Sequence, residues 1–172
     1  MAHLPAVDLG LMADHLSAHE GVIHKLKAYQ EIVTNHQLRD IIRLQENVMR
    51  THVWVMLALI NPEYSHYVEV PPLSNGSTKH SFNSEKNEIS HNNKWIVLEL
   101  RNTAKNMSST NYNSALMMQN TNVINAHIEM ALQQHQLQKK YDEFITHMRW
   151  QFVPRVSVEE QVNTFLHFQH LL

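Results

Sequence analysis

The sequence predicts an all-α fold in which four long helices form two repeated hairpins. Glycine and proline are scarce: the chain has three glycines and five prolines, and neither residue occurs between positions 77 and 153. Because these residues interrupt regular structure, their absence favours long helices. Apolar residues recur every three or four positions, which is the spacing of one helix face. A repeated pattern of residues adds the prediction of two similar halves.

The repeat consists of pairs of residues that are 83 positions apart. Three pairs are identical, namely Tyr29 with Tyr112, Glu46 with Glu129, and His52 with His135. Three more pairs are apolar in both copies, namely Val33 with Leu116, Ile41 with Ile124, and Met49 with Leu132. A duplicated unit explains such spacing, and we expect the two hairpins to superpose in this register.

The first hairpin is predicted over residues 8–60. Its first helix spans residues 8–33 and ends at a tight turn, where Thr34 or Asn35 caps the next helix. The second helix spans residues 36–60 and ends before Pro62, because a residue that precedes proline disfavours helical geometry.

The second hairpin is predicted over residues 94–149, after a long polar crossover at residues 61–93. Its helices span residues 94–118 and 123–149, and Thr121 or Asn122 is expected to cap the later one.

A crossover of this length allows the second and third helices to run parallel, whereas a simple up-and-down bundle needs only short turns. The pattern therefore predicts one ferritin-like four-helix bundle domain over residues 1–172.

A short fifth helix is predicted over residues 158–171. Ser157 and Glu160 have the spacing of a capping box. The helix carries one apolar face, made by Val158, Val162, Phe165 and Leu166. This face is expected either to cover the end of the bundle or to form a homodimer contact.

Composition excludes several classes of function. The 172 residues include no cysteine, which rules out disulfides and thiolate sites, and a net charge of −2 gives no basic stripe for nucleic acid. The longest apolar run, residues 53–60, is far shorter than the ~20 residues of a membrane span. With no signal peptide evident at residues 1–7, a soluble protein made in the cytosol is expected.

Glu46 and Glu129 are the first candidates for a functional site, because they are expected near the middle of the bundle. A di-iron or di-manganese centre in such a bundle uses Glu-x-x-His pairs. Met49 and Leu132 occupy the positions of those histidines. We therefore expect no di-metal centre between the two glutamates.

The chain contains 14 histidines, and those of the first helix are the second candidates. His15 and His19 share one helix face, as do Glu20 and His24, so that either pair is spaced to chelate zinc or copper. Counting from the hairpin turn, we expect His19 near the level of His52. The alternative is an ordinary solvated face. The repeated tyrosine, glutamate and histidine are interpreted as a buried polar layer that sets the helix register. No catalytic residue, cofactor or metal ligand is assigned.

The first hairpin resembles that of the spore coat protein F family of endospore-forming bacteria. The resemblance rests on Tyr29, Asn35, Leu38-Arg39, Glu46 and His52. In the second copy it extends from Tyr112 to the segment Met148-Arg149-Trp150-Gln151-Phe152. It covers most of residues 8–154. Where the family usually has Gly-Trp-Tyr, this chain has Arg149-Trp150 followed by Gln151-Phe152.

The resemblance implies a ferritin-like fold and a structural or interaction role in the spore coat, with no catalytic residues to carry over. Other spore coat proteins would be the partners, and the protein would be made in the cytoplasm of the mother cell and placed in the coat. The alternative function is a bundle that binds iron, manganese or zinc for storage or oxidoreductase chemistry. Glu46, Glu129 and the excess of histidine favour that alternative.

Overall fold

A computed structural model describes residues 3–64, 66–73 and 91–172, and within them the chain is all-α, as predicted. Five helices are present in this part of the chain, and it contains no strand. They are α1 (Ala6–Ile32), α2 (His36–Ile60), α3 (His91–Ala115), α4 (Thr121–His147) and α5 (Val158–Phe168). A short 3₁₀ turn, Gln169–Leu171, follows α5.

Side-chain caps mark the starts of α2, α4 and α5. The Asn35 side chain accepts a hydrogen bond from the Leu38 N–H, so one of the two predicted caps of α2 is confirmed. Ser157 and Glu160 form the predicted capping box of α5. The prediction for α4 is wrong, because Asn120 is its cap rather than Thr121 or Asn122. Consequently α4 begins two residues before its predicted start, and α3 also begins and ends about three residues early.

The four long helices pack as two hairpins. α1 packs against α2 and α3 against α4, and the hairpins meet where α2 contacts α4 and α1 contacts α3. One apolar cluster joins the end of α1 to the starts of α2 and α3 and to the end of α4, through residues such as Leu26, Leu38, Ile96 and Phe144. A second cluster joins the opposite helix ends, through Met12, Met56, Met118 and Val123. Both α2 and α3 therefore run from the first cluster toward the second, which makes them parallel.

The described part of the crossover lies against α2 and α4. Val68 packs with Val55 and Ala126. Its backbone N–H and C=O both hydrogen-bond the Asn122 side chain, at 2.9 and 2.7 Å. These contacts place the crossover alongside α4. The rest of the predicted connection, residues 74–90, lies outside the described residues.

The two hairpins are structurally equivalent at a separation of 85 positions, rather than 83. The caps Asn35 and Asn120 are 85 positions apart. Every buried residue of α1 also has a buried counterpart 85 positions later: Asp8 with Asn93, Met12 with Val97, His15 with Leu100, His19 with Ala104, and Leu26 with Asn111.

The expected superposition at 83 positions is therefore wrong. Two positions rotate a helix by about 200°, so this register would match a buried face to an exposed one. Met49 and His52 are fully buried, whereas Leu132 is half exposed and His135 is exposed. The residues that are identical at a separation of 83 positions therefore do not mark the buried face of the helices.

Hydrogen bonds repeat with the same two-fold relationship. The Asp8 carboxylate accepts the backbone N–H groups of Gln119 and Asn120, at 2.9 and 2.8 Å, and so binds the turn between α3 and α4. Its counterpart Asn93 accepts the N–H of Thr34 at 3.2 Å, in the turn between α1 and α2. Each hairpin thus hydrogen-bonds the turn of the other, and we call these two contacts the reciprocal clamps.

The fifth helix does not cover the end of the bundle, which was one of the two alternatives for its apolar face. None of its residues is buried. Among the described elements, its only extensive contact is with the 3₁₀ turn that follows it. The apolar face that the sequence predicts is present but open to solvent.

Helix α4 ends in a backbone conformation that favours glycine. Arg149 has a φ of 57°, and the Trp150 N–H bonds back to the carbonyl of Ile145 at 3.0 Å. Arg149 is also the residue at which the sequence departs from the Gly-Trp-Tyr pattern of the family it resembles. Left-handed geometry crowds a side chain that has a Cβ atom.

We expect Arg149→Gly to raise the free energy of unfolding by about 0.5–1 kcal/mol, because glycine adopts this geometry without a steric penalty. Urea denaturation at pH 7.5 measures the change. Arg149→Ala keeps the Cβ atom and should give no such gain; an equal gain from alanine would contradict the explanation.

We expect Asp8→Ala to lower the free energy of unfolding by about 2–3 kcal/mol, since two backbone N–H groups lose a charged acceptor. Asp8→Asn is the matched control, because asparagine already occupies the equivalent position at Asn93. Thermal and urea melting should show the asparagine variant closer to the parent protein than the alanine variant. The reverse order would contradict the clamp.

Candidate functional site: a buried histidine cluster

Among the described residues, four histidines lie inside the bundle. His15 and His19 come from α1, His52 from α2 and His127 from α4. His15 is 5% exposed and the other three are fully buried. Imidazole is polar and ionisable, so its burial requires hydrogen-bond partners and favours the neutral ring.

The rings come together in two pairs. The ring centroids of His15 and His127 are 5.1 Å apart, and those of His19 and His52 are 5.7 Å apart. Each pair joins α1 of the first hairpin to another helix. The histidines therefore form one polar region that spans both hairpins.

Hydrogen bonds to backbone carbonyls fix the tautomers of two rings. His19 Nδ1 lies 2.7 Å from the carbonyl oxygen of His15, and His127 Nδ1 lies 2.9 Å from that of Val123. A carbonyl oxygen only accepts, so each Nδ1 carries the proton and donates. Nε2 of each ring is then a bare lone pair, and neither nitrogen has a hydrogen-bond partner.

The tautomer of His52 is fixed through Gln133. The Gln133 amide nitrogen donates to the carbonyl oxygen of Pro71 at 2.8 Å, which turns its side-chain oxygen toward His52. His52 Nε2 lies 2.9 Å from that oxygen and must donate to it. His52 Nδ1 is therefore a third buried lone pair without a partner.

The surroundings of His15 come from α3. Its Nε2 lies 2.9 Å from the Ser114 hydroxyl. Nδ1 has no partner within hydrogen-bond distance, although the Asn111 side chain is near enough to raise the His15 pKa. Burial is the largest effect and leaves the pKa of His15 below its ordinary value, although the Asp14 carboxylate also acts to raise it.

Burial also lowers the pKa of the other three rings. It brings the pKa of His19 to about 3, with the neighbouring His52 adding to the effect. For His52 and His127 burial lowers the pKa to about 4, partly offset by hydrogen bonds to Gln133 and to the Val123 carbonyl, respectively. At neutral pH the cluster is uncharged and its lone pairs are free to bind.

A second polar chain crosses the core beside the histidines. The Tyr141 hydroxyl donates to the Gln45 side-chain oxygen at 2.7 Å. The Gln45 amide donates in turn to Gln134 at 3.5 Å, and Gln134 donates to the Met49 sulfur at 3.1 Å. Burial raises the pKa of Tyr141 well above its ordinary value, so that the phenol stays a donor.

The structure gives the two candidate glutamates different surroundings. Glu46 accepts hydrogen bonds from Gln30 on α1 and from Arg50 on α2, at 2.7 and 2.8 Å. Glu129 lines a shallow surface depression with Asn125 and crossover residues 67–70.

The histidine candidates of the first helix are divided in a similar way. His15 and His19 belong to the buried cluster, whereas Glu20 and His24 are exposed. His19 lies at the level of His52, as the sequence predicts. His135, the expected partner of His52 in the repeat, is exposed. A buried polar layer is present, but of the six repeated residues it contains only His52, so the interpretation of the repeat as that layer is wrong for the other five.

His127 is the functional candidate that sequence reasoning missed. It has no histidine or carboxylate beside it at helical spacing that would mark a site. The separation of 85 positions aligns it with Ile42, a core residue of α2, and that register would have predicted its burial.

Among the described residues, no group of three or more His, Asp or Glu side chains is arranged to hold a metal ion. Within the same part of the chain, no helix is both long and apolar enough to cross a membrane. No protein-family model, curated protein or solved structure matches this chain. The resemblance to the spore coat protein F family therefore stays a prediction.

We expect stability to fall steeply in mild acid. A histidine whose pKa is lower in the folded protein stabilises that state fully above pH ~6.5, and the contribution is lost as pH falls toward the folded pKa. His19, His52 and His127 each cost about 1.4 kcal/mol per pH unit in this window, or about 4 kcal/mol together. Domains are stable by about 5–15 kcal/mol, so we expect unfolding near pH 5.

Urea denaturation at pH 7.5, 6.0 and 5.5, followed by circular dichroism, measures this slope. His52→Gln removes one of the titrating rings. It should therefore reduce the slope of the unfolding free energy against pH by about 1.4 kcal/mol per pH unit. His135→Gln alters an exposed histidine and should leave it unchanged. Stability that is flat from pH 7.5 to 5.5 would show that the four rings are not held neutral.

Proposed function

We propose that this chain is a non-catalytic structural protein that acts by binding other proteins through α5, and that it is a component of the spore coat. The coat assignment rests on the sequence resemblance. The binding role rests on one structural observation, the solvent-exposed apolar face of α5.

The proposed scaffold is a ferritin-like bundle. Three features support it: α2 and α3 run parallel, a long crossover joins them, and the hairpins contact each other reciprocally through Asp8 and Asn93. Parallel central helices joined by one long crossover are characteristic of ferritin-like folds. In this proposal the bundle is a rigid support for the helix that follows it.

The α5 face is well suited to protein binding. Val158, Val162, Phe165 and Leu166 are each at least 48% exposed. Complete burial of such a side chain contributes about 1.5–3 kcal/mol. The capping box stabilises α5 as a helix, so its apolar residues are presented in register before a partner arrives.

A second copy of this chain is the partner that can be tested directly, and other spore coat proteins are the wider class. Two α5 helices placed face to face would bury both apolar faces in a single self-complementary contact. Contact with a different coat protein would use the same residues.

We expect deletion of residues 157–172 to convert a self-associating protein to a monomer and to leave the melting temperature of the isolated bundle unchanged. The structure gives the reason, since α5 makes no extensive contact with the long helices. Sedimentation equilibrium measures the mass and differential scanning calorimetry measures the melting.

Phe165→Asp should act like the deletion, because it places a charge on the apolar face. Asn163→Asp adds the same charge elsewhere on α5 and is the matched control. A full-length protein that is monomeric at all concentrations, together with a truncated protein that melts earlier, would instead mean that α5 packs on its own bundle.

Metal binding is the second candidate function, and the histidine cluster favours it. His19, His52 and His127 each direct an unpartnered lone pair into the interior. A bound cation would satisfy such nitrogens. The carboxylates that iron and manganese prefer are exposed or engaged elsewhere, so imidazole chemistry rather than di-iron chemistry supports this candidate.

A further inference from the structure

We propose that His19 and His52 form a two-coordinate site for a monovalent d¹⁰ cation, Cu(I), in the interior of the bundle. The inference rests on the second candidate function and names its ion and its ligands. It is independent of α5, so the tests of the two proposals can fail separately.

The first argument is the protonation pattern of the two rings. His19 donates Nδ1–H to the His15 carbonyl, and His52 donates Nε2–H to Gln133. Metal-binding histidines characteristically donate their other ring N–H to a carbonyl or another acceptor, which orients the ring and raises its basicity. Both rings therefore already have the tautomer that a ligand requires.

The second argument is the distance between the rings. Two imidazole nitrogens that are each about 2 Å from a shared ion place their ring centroids about 6 Å apart. The observed centroid separation is 5.7 Å, and the planes are tilted by 60°. The two free nitrogens, His19 Nε2 and His52 Nδ1, do not hydrogen-bond each other or any other group.

The third argument concerns the number of ligands. Zinc in proteins takes four ligands, or three and a water molecule. Among the described residues no third His, Asp or Glu joins this pair in a metal-binding arrangement. A d¹⁰ monovalent ion forms stable complexes with only two nitrogen ligands, so the pair suits Cu(I) better than zinc.

The fourth argument is charge. Both rings are fully buried, and the groups that act on them electrostatically are the neutral rings of His15 and His127. Among the described residues, no carboxylate acts on either ring in this way. Without a counter-charge, the cost of burying a monovalent ion is much lower than that of burying a divalent ion, because the solvation energy of an ion grows with the square of its charge.

Anaerobic titration with Cu(I), in competition with a chromogenic Cu(I) chelator, tests the proposal on the full chain at pH 7.5. Ag(I), a d¹⁰ ion that does not change oxidation state, serves as a second probe. We expect one tight equivalent and a rise in Tm of about 5–10 °C when the free ion is a hundredfold above its Kd. X-ray absorption should show two nitrogen ligands.

His19→Gln and His52→Gln should each abolish the tight equivalent, whereas His24→Gln and His135→Gln remove exposed histidines and should preserve it. Melting without metal shows whether each variant folds. If the core variants fail to fold, ¹⁵N spectra of the parent protein decide: Ag(I) should shift the unprotonated nitrogens of His19 and His52 and leave their N–H nitrogens protonated.

Four results would overturn the proposal. They are no rise in Tm with either ion, tight binding that survives in a folded His19→Gln or His52→Gln variant, a shell of three or four nitrogens, and tighter binding of Zn(II) than of Cu(I). None of them would affect the proposal for α5, which depends on sedimentation of the truncated chain.

Discussion

Keeping four imidazoles neutral inside the bundle is the constraint on which the rest of the core depends. Each ring needs a specific polar partner: His19 and His127 bond to backbone carbonyls of their own helices, whereas His15 and His52 bond across helices to Ser114 of α3 and Gln133 of α4. A slide of α1 past α3, or of α2 past α4, by a single turn would break one of these two interhelical hydrogen bonds in a dry interior. The apolar clusters on either side supply burial, but apolar contacts tolerate sliding far better than hydrogen bonds do. The polar layer therefore fixes the alignment of the helices.

This layer also breaks the two-fold symmetry of the hairpins. The symmetry is evident in the backbone, the Asn35 and Asn120 caps and the reciprocal clamps. However, each histidine in one hairpin corresponds to an aliphatic residue at the equivalent position of the other: His15 to Leu100, His19 to Ala104, His52 to Leu137, and His127 to Ile42. Three of the four histidines belong to the first hairpin. The two hairpins thus share a symmetric backbone but differ in the side chains of their interior.

The sequence predicts the helices well because the signals for them are local. All five prolines lie outside the helices, and Asn35 and the Ser157–Glu160 box mark helix starts that the structure confirms. It does not predict the register of the repeat, because the identities at 83 positions come from residues such as Tyr112 and His135 that face solvent. Identity of side chains and equivalence of packing are different properties, and only the second determines which residues are buried.

The histidine cluster was half predictable for a related reason. His15 and His19 are adjacent on one helix, and His19 is expected at the level of His52. His127 depends on a contact between helices that are 112 residues apart in sequence, and no local pattern reports such a contact. The exposure of α5 is likewise a tertiary property. An apolar face indicates that a helix needs a covering surface but does not indicate which surface.

Gln133 connects this interior to the long crossover. Its side-chain oxygen accepts a hydrogen bond from His52, while its amide nitrogen donates one to the carbonyl of Pro71. The amide is planar, so it cannot rotate to follow the ring without releasing the crossover. The position of the crossover and the protonation of His52 are therefore coupled through one side chain. Such coupling is reciprocal by thermodynamic necessity. Any event that pulls the Pro71 segment away from α4 alters the basicity of a ring at the centre of the molecule. The exposed segment at Pro71 is thus connected through a single side chain to the buried imidazole of His52.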